Sequence, residues 1–266
     1  MTVGFRKMHG SGNDFLLVTG AEDDRDWRAL GPGLCARRTG VGADGLVVST
    51  TAGEDSAVLD VLCVNPDGSV ATLCANALRC AARCALLDHG WSTMSLVMAG
   101  ISHDAVVEGT HVRVTVEAGE VRAERVVQRC QDEDVGFDAV RVGAEHLVAL
   151  VDDVHRFDFA ALVRRLRARE PAAAGANISV VQPCGYGELT VRTHESGARE
   201  ESLSCASGAV AAVVVAARRG QAGAGGRVTV HNRAGIPLTV MPHTERASYW
   251  VGGPVTHVFD GELDLA

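Results

Sequence analysis

The 266-residue sequence lacks the features that would place it on a membrane or on nucleic acid. Its longest apolar run, residues 209–217, is too short to span a bilayer. The formal net charge is −8 and no basic stripe occurs, so nucleic acid and anionic membrane surfaces are poor partners. The first residues, MTVGFRK, lack the apolar stretch of a signal peptide. We therefore expect a cytoplasmic protein with no nucleic-acid or membrane partner.

The eight cysteines also lack the spacing of common metal and redox motifs. No C-x-x-C pair occurs, and no run of histidines or carboxylates accompanies the cysteines at positions 74, 80 and 84, so we expect no metal site. A chain of this length without a secretory signal is expected to keep its thiols reduced. Cys80 and Cys84, one helical turn apart, are expected to be buried as small apolar side chains.

The sequence does contain an α/β plan that occurs twice. Apolar periodicity predicts helices over 75–88, 158–169 and 207–219. Short β-type runs predict strands over 15–19, 45–49, 57–64, 69–73, 95–98, 105–107, 111–116, 140–142, 147–151, 178–182, 188–193, 227–231, 237–241 and 247–251. Loops are predicted at 171–176 and 220–226. We expect two halves, residues 1–121 and 122–255, joined near 121–130, with the C-terminal segment 256–266 as a candidate to complete the first half.

Two of the cysteines, Cys74 and Cys205, stand at the start of a predicted helix, one in each half. A helix N-terminus lowers the pKa of a thiol and binds anions such as a carboxylate. Two such thiols predict a pair of acid/base groups acting on an amino acid, in which one removes the α-proton and the other delivers a proton to the opposite face. The alternative interpretation of either cysteine alone is an inert core residue.

Five short segments stand out along the chain: FRKMHGSGNDF at 5–15, GVGADGL at 40–46, NPDGS at 65–69, CANALRC at 74–80 and CASGA at 205–209. In this order they resemble the motifs of the diaminopimelate epimerases, over nearly the whole chain. The resemblance implies an α/β (α+β) fold of two pseudo-symmetric halves, each a mixed or antiparallel sheet around a central helix, as in proline racemases. It also implies an isomerase that uses neither pyridoxal phosphate nor a metal, acts on a small amino acid and forms a homodimer.

The resemblance further implies a role for each matching residue. Cys74 and Cys205 would be the catalytic acid/bases, and His146 and Glu195 would help to move protons on and off the thiols. Each of the latter two has an ordinary alternative, a polar group satisfied within the fold. The implied substrate-binding residues are Asn13, Asn65, Ala75, Asn76, Asn177, Ser196, Ala206 and Ser207, of which Asn65 and Asn177 would line the side that receives the rest of the substrate.

The chain departs from the family at the end of the site that holds the distal part of diaminopimelate. Ser196 stands where the family has an arginine for the distal carboxylate, and Ala144 stands where it has an asparagine. Loss of a buried bidentate arginine costs about 2–5 kcal/mol for the carboxylate it bound. Ala75 and Ala206 replace glycines, which keeps their amides and narrows the pocket. We therefore predict an unchanged reaction on an amino acid other than diaminopimelate.

Two nearby charged residues leave the substrate open. Glu145 could face a cationic or imidazole side chain, which would favour a basic amino acid or histidine, or it could be a solvated loop carboxylate. Arg199 could replace the missing arginine and restore diaminopimelate as the substrate. The alternatives are therefore a true diaminopimelate epimerase with a rebuilt distal site, a proline-racemase-like isomerase or dehydratase, and an inactive relative that binds a metabolite or partner.

Overall fold

The computed structural model describes residues 2–20, 25–53, 56–130, 133–156, 158–222 and 226–264. Within them the chain forms fifteen strands: β1 (Thr2–Gly10), β2 (Asn13–Thr19), β3 (Gly45–Thr51), β4 (Val58–Val64), β5 (Thr93–Met98), β6 (Ile101–Glu108), β7 (His111–Glu117), β8 (Arg122–Cys130), β9 (Glu133–Val142), β10 (Ala144–Leu150), β11 (Asn177–Gly185), β12 (Glu188–His194), β13 (Val228–His231), β14 (Leu238–Pro242) and β15 (Ser248–Asp264). The same residues form four α-helices: α1 (Trp27–Cys35), α2 (Ala75–His89), α3 (Phe159–Arg169) and α4 (Ala206–Arg218). None of these helices is both long and apolar enough to cross a membrane.

The chain divides into two compact units, Met1–Thr115 with Gly252–Ala266 (unit 1) and Val116–Val251 (unit 2). In unit 1 the strand order is β1-β2-β3-β4-β5-β6-β7-β15, and β15 also pairs with β1, which closes the sheet into a barrel. The parallel pairs β2–β3 and β4–β5 are each joined through a helix, as parallel neighbours require. Helix α2 packs against β1 to β6 and is the central helix of this unit.

Unit 2 repeats the plan. Its strands follow the order β8 to β14 and then the start of β15, and its parallel pairs β10–β11 and β12–β13 are joined through α3 and α4. Helix α4 packs against β9 to β12 and β14. The predicted fold class, two pseudo-symmetric halves with a mixed sheet around a central helix, is confirmed.

Both central helices lack an amphipathic stripe because they are buried on nearly every side. Small side chains, alanine in both helices and valine in α4, let the surrounding strands approach closely. Helix α2 ends at Gly90, which adopts the left-handed conformation (φ 75°) and donates its N–H to the Leu86 carbonyl. The predicted helices over 75–88 and 207–219 are confirmed to within a residue at each end.

The outer helices are fixed by aspartate caps. Asp158 accepts a hydrogen bond from the amide of Ala161 and starts α3, whose apolar face is buried as predicted. Asp26 accepts from the amides of Arg28 and Ala29 and starts α1. Helix α1 was absent from the sequence prediction because its centre, Gly31–Gly33, contains a proline between two glycines, which disfavours a helix locally.

Three sequence predictions differ from the structure. The predicted strand 69–73 is wrong: the segment is held by a turn and a single bridge between Val64 and Val70. The predicted connection 121–130 is instead strand β8, which pairs with β9. The predicted loop 171–176 contains a short 3-10 helix, Pro171–Ala173. Part of the predicted loop 220–226 and the last two residues of 256–266 lie outside the described residues.

Candidate active site

Cys74 is the residue that precedes the central helix of unit 1. Its backbone is extended (φ −138°, ψ 94°), its N–H donates to the sulfur of Met98 at 3.3 Å, and its carbonyl accepts the N–H of Leu78 at 3.0 Å. The side chain is half-buried. The thiol therefore sits at a helix end whose first N–H groups have no partner within the helix.

Cys205 has the same position before the central helix of unit 2. Its sulfur accepts the N–H of Gly208 at 3.4 Å and lies 3.4 Å from the Ser207 hydroxyl. A Cβ at position 208 would lie 3.0 Å from the Thr193 hydroxyl and 3.3 Å from the Cys205 sulfur, so the glycine lets the helix start close to β12. The predicted placement of each cysteine directly before a helix is confirmed.

The other cysteines with described side chains have different surroundings. Burial raises the pKa of both Cys35 and Cys84 to about 11, and it raises the pKa of Cys80 further. Burial of Cys80 and Cys84 was predicted and is confirmed. Cys184 is exposed at the end of β11, 3.2 Å from the Thr190 hydroxyl. Cys74 and Cys205 thus share a combination of partial exposure and a helix N-terminus.

Cys63 on β4 is a neighbour of Cys74 that sequence reasoning missed. The Cys63 thiol is 1% exposed, and its backbone carbonyl accepts the N–H of Ala71 at 2.9 Å. The hydrogen bond between the two thiols, together with burial, raises the pKa of Cys63 well above its ordinary value. Cys63 is therefore a neutral S–H group beside Cys74. A cysteine in an apolar strand pattern carries no sequence signal for this role.

Asn13 and Asn76 are brought together in unit 1 by a chain of hydrogen bonds. The Arg79 Nη2 donates to Asn76 Oδ1 at 2.8 Å, Asn76 Nδ2 donates to Asn13 Oδ1 at 3.3 Å, and Asn13 Nδ2 donates to Asp44 Oδ2 at 2.9 Å. Each amide therefore has one orientation that satisfies both of its neighbours. Ala75 is buried at the start of the same helix.

Asp44, the acidic end of this series of hydrogen bonds, is held by a cluster of ion pairs. Arg37 contacts Asp14 at 2.7 Å and Asp44 at 2.6 Å, and Lys7 contacts Asp14 at 2.6 Å. Burial opposes ionisation of Asp14, but hydrogen bonds from Arg37 and Lys7 outweigh it and hold the pKa of Asp14 well below its usual range. The cluster fixes Asp44, and with it the amide of Asn13.

Asn65 lies in the turn that follows β4. Its Nδ2 donates to the Ser69 hydroxyl at 2.9 Å, and its backbone N–H donates to the Ser69 carbonyl at 2.8 Å. Asp67 accepts from both the amide and the hydroxyl of Ser69, which lowers the pKa of Asp67. The Asn65 side chain is thus held by its own turn.

In unit 2 the structure links His146, Asn177 and Ser196. His146 on β10 is paired in register with Asn177 on β11, and Asn177 Nδ2 lies 3.4 Å from His146 Nε2. Asn177 Oδ1 accepts the N–H of Ser196 at 2.8 Å. His146 is 0% exposed, and burial lowers its pKa to about 4, so the imidazole is neutral at pH 7. This geometry suits a side chain that orients Asn177.

Glu195 is linked to the loop that leads to α4. Its Oε1 accepts from the Ser202 hydroxyl at 2.6 Å, and its carbonyl accepts from Arg167 Nη2 at 2.9 Å. Ser196, at the position of the family's arginine, and Arg199, its candidate replacement, are both exposed. Arg167 on α3 thus brings a guanidinium to the Glu195–Ser196 backbone, a contact between distant positions that the sequence did not indicate.

Glu145 is already engaged by cations. Its carboxylate forms ion pairs with Arg122 and, at 3.8 Å, with Arg141. Glu145 directly precedes His146 in β10, and because successive side chains of a strand point to opposite faces, the two side chains point apart.

Two surface cavities, of about 690 Å³ and 740 Å³, lie within single units. The first includes Tyr186 and Gln221 in unit 2, and the second includes Arg25 and Asp260 in unit 1. Neither is lined by Cys74 or Cys205, so helix ends and hydrogen bonds, rather than cavity size, locate the candidate site.

The buried histidine leads to a prediction about stability. The folded pKa of about 4 lies below the ordinary 6.5, so the unfolded chain binds the extra proton. The neutral His146 contributes fully to the free energy of unfolding above pH 6.5. This contribution is lost as the pH falls toward 4, by about 3 kcal/mol in total. His146→Gln is expected to flatten this part of the stability curve, measured by urea unfolding at pH 7, 5.5 and 4.5. The exposed His155→Gln is the control; an equal flattening in both variants would contradict the assignment.

The comparisons with known proteins identify the family of the chain. The sequence pattern described as "Diaminopimelate epimerase" matches residues 5–130 and 138–258. The chain is 31% identical over 283 residues to the diaminopimelate epimerase of Archaeoglobus fulgidus, covering 100% of this chain and 98% of the relative. It is 33% identical over 281 residues to that of Pelotomaculum thermopropionicum, covering 97% and 98%. The predicted resemblance is confirmed.

Solved structures share the fold at low sequence identity. A hydroxyproline epimerase from Agrobacterium vitis matches with a TM-score of 0.72 at 14% identity, over 99% of this chain and 93% of the other. A PhzF-family phenazine biosynthesis protein from Bacillus anthracis matches with a TM-score of 0.70 at 12% identity, over 100% of both chains. From its full-length sequence match, this chain belongs to the diaminopimelate epimerase family and is an isomerase of the racemase and epimerase type.

Proposed function

We propose that this isomerase inverts the α-carbon of an amino acid with two cysteines, Cys74 and Cys205, and without a cofactor. The observation that carries the proposal is the matched position of the two thiols, half-buried and directly before the buried central helix of each unit. A helix N-terminus favours a thiolate and offers N–H groups to a carboxylate.

The reaction requires each thiol to reach one face of the same α-carbon. One cysteine, as thiolate, removes the α-proton, and the other, as thiol, delivers a proton to the opposite face; in the reverse direction the roles exchange. The negative charge that develops on the substrate carboxylate is stabilised by the N–H groups at the helix starts, which include those of Ala75 and Ala206. Asn13, Asn76 and Ser207 complete the contacts to the reacting amino acid.

For His146 and Glu195 we propose positioning roles in place of the proton transfer that the resemblance implied. His146 contacts Asn177 and is neutral, so it would act by fixing the amide that faces the rest of the substrate. Glu195 accepts from Ser202, three residues before Cys205, and so would act through the loop that delivers this cysteine. Asn65, held by Ser69, would contact the distal part of the substrate.

The substrate we propose is an amino acid other than diaminopimelate. Ser196 is exposed and has no guanidinium of its own to offer to a distal carboxylate. An unpaired Glu145 would have favoured a basic amino acid or histidine, but Arg122 and Arg141 already compensate its charge. The charge of Glu145 therefore gives no separate support for a basic side chain.

The role of Glu145 can be tested directly. Glu145→Gln is expected to change kcat/KM for the amino acid that is turned over by less than about twofold, because the carboxylate is paired with Arg122 and Arg141 rather than with the substrate. The measurement is steady-state racemisation by chiral chromatography, with Arg122→Gln as the matched variant. A large rise in KM for a basic substrate in Glu145→Gln alone would instead identify this carboxylate as a substrate contact.

The second candidate is a true diaminopimelate epimerase. It is favoured by the full-length match to curated diaminopimelate epimerases at about 30% identity and by the Arg167 guanidinium next to Ser196. Ordinary catalytic efficiency with LL-diaminopimelate would establish it and reject the change of substrate.

The deciding experiment is a panel of L-amino acids and LL-diaminopimelate incubated with the enzyme in D2O. Deuterium gain at the α-carbon with formation of the other stereoisomer is the expected result for one of them. Loss of water would indicate a dehydratase, and the absence of exchange with every compound would indicate a binding protein. We also propose a homodimer, which sedimentation velocity would test.

A further inference from the structure

Arg79 is a charged residue in the centre of an apolar helix. Its side chain is 0% exposed and is among the largest fully buried side chains of the chain. It lies five positions after Cys74, and long helical side chains point back toward the helix N-terminus. The guanidinium therefore lies beside the first turn of α2.

The contacts confirm this placement. Arg79 Nη2 donates to Asn76 Oδ1 at 2.8 Å and lies 3.3 Å from the Ser11 hydroxyl. A Cβ at position 10 would lie 2.9 Å from Nη2, so Gly10 makes room for the guanidinium. Among the described residues, Nε and Nη1 have no hydrogen-bond partner, and no carboxylate forms an ion pair with Arg79.

The guanidinium nevertheless stays charged. Burial lowers the pKa of Arg79 to about 10, which leaves it protonated at pH 7. A buried cation without a compensating negative charge is strongly destabilising, so a partner is required nearby.

The other groups near Arg79 are neutral or already paired. Cys80 and Cys63 are buried neutral thiols, because burial raises the pKa of the first, and the hydrogen bond with Cys74 and burial raise that of the second. Asp14 and Asp44 are paired with Lys7 and Arg37. Among the described residues around Arg79, Cys74 is the remaining group whose thiolate can balance this charge, and its electrostatic interaction with Arg79 raises the pKa of the guanidinium.

We propose that Arg79 is a positioning residue that stabilises the thiolate of Cys74 and, through Asn76, holds the amides of Asn76 and Asn13 in one orientation. The proposal rests on the proposed function, in which Cys74 removes and returns the α-proton. The three hydrogen bonds that join Arg79, Asn76, Asn13 and Asp44 are all donated in one direction, from the guanidinium toward the carboxylate. Reversal of either amide would break two of them.

The test measures the reactivity of Cys74 rather than turnover. The native protein is alkylated with iodoacetamide from pH 5 to 10, and the modified Cys74 peptide is quantified by mass spectrometry. Because the thiolate is the reactive form, the pH of half-maximal rate reports the pKa of Cys74. Arg79→Met removes the charge with an apolar side chain of similar length. Arg79→Lys keeps the charge.

We expect Arg79→Met to move the half-maximal rate of Cys74 at least one pH unit higher, about a tenfold slower alkylation at low pH. Arg79→Lys is expected to stay near the wild-type profile, and Cys205, in the same digest, is expected to be unchanged in both. An unchanged Cys74 profile in Arg79→Met would overturn the proposal. If this variant does not fold, Gly10→Ala is measured in its place, because the added methyl group crowds Nη2. A smaller shift in the same direction would support the proposal, and the absence of a shift would overturn it.

The alkylation profile separates this proposal from the proposed function. It can be recorded whether or not any amino acid is racemised, so an inactive protein with the expected shift would reject the function and keep the role of Arg79. An active racemase with no shift in the Cys74 profile would support the proposed function and reject the role of Arg79.

Discussion

Replacement of Cys74 or Cys205 by serine is expected to lower the rate of α-carbon inversion by about 10²–10⁴-fold, the usual contribution of a general acid or base. A serine hydroxyl at a helix N-terminus is far too weak an acid to supply a base near pH 7. A thiol in the same place has a pKa close enough to 7 to supply a thiolate. The measurement is chiral analysis of the amino acid identified in the D2O panel.

Matched controls exist within the chain. Cys184→Ser, at the exposed end of β11, is expected to keep full activity. The double variant Cys74→Ser/Cys205→Ser is expected to be little worse than the weaker single variant, because the two groups act in one reaction and their effects do not add. Full activity in either single variant, with a folded protein, would rule out the two-thiol mechanism.

The sequence was sufficient for the central helices and the cysteines that precede them. Alanine-rich runs bounded by Cys74 and Gly90, or by Cys205 and the arginines at 218 and 219, are strong local signals. Helix α1 was not predictable in the same way, since Gly31–Gly33 opposes a helix locally and packing against β3 and β4 overrides this. The strand predicted at 69–73 failed because the Asp67 carboxylate accepts hydrogen bonds from the N–H and the hydroxyl of Ser69, which satisfies the backbone within the turn instead.

The surroundings of the thiols were beyond reach of the sequence for a different reason. In our proposal Arg79 acts through Asn76 and Asn13, and Cys63 on β4 contacts Cys74, so both depend on contacts between distant positions. A lone arginine in a helix ordinarily points to solvent, and a lone cysteine in a strand is ordinarily core. The charge of Glu145 likewise suggested a substrate contact until its pairing with Arg122 and Arg141 was known.

The largest expected effect on stability comes from Gly40, in the segment that leads to Asp44. Its N–H donates to the Ala36 carbonyl at 2.9 Å, and a Cβ there would lie 2.2 Å from the Gly33 carbonyl oxygen and 2.7 Å from that of Leu34. Both are backbone atoms at the end of α1, so they cannot rotate away as a side chain would. Gly40→Ala is therefore expected to cost about 3 kcal/mol, at the upper end of overpacking, or to prevent folding of unit 1.

Gly33→Ala is the matched control for this change. Gly33 lies in α1 with nothing within 4 Å of its added Cβ, and alanine in a helix is favoured over glycine by about 1 kcal/mol. Urea unfolding should therefore show a lower midpoint for Gly40→Ala and an equal or higher midpoint for Gly33→Ala. Because the same segment carries Asp44, which holds the amide of Asn13, any folded Gly40→Ala protein should also show a raised KM. Equal stability of the two variants would mean that the end of α1 yields to the added methyl group.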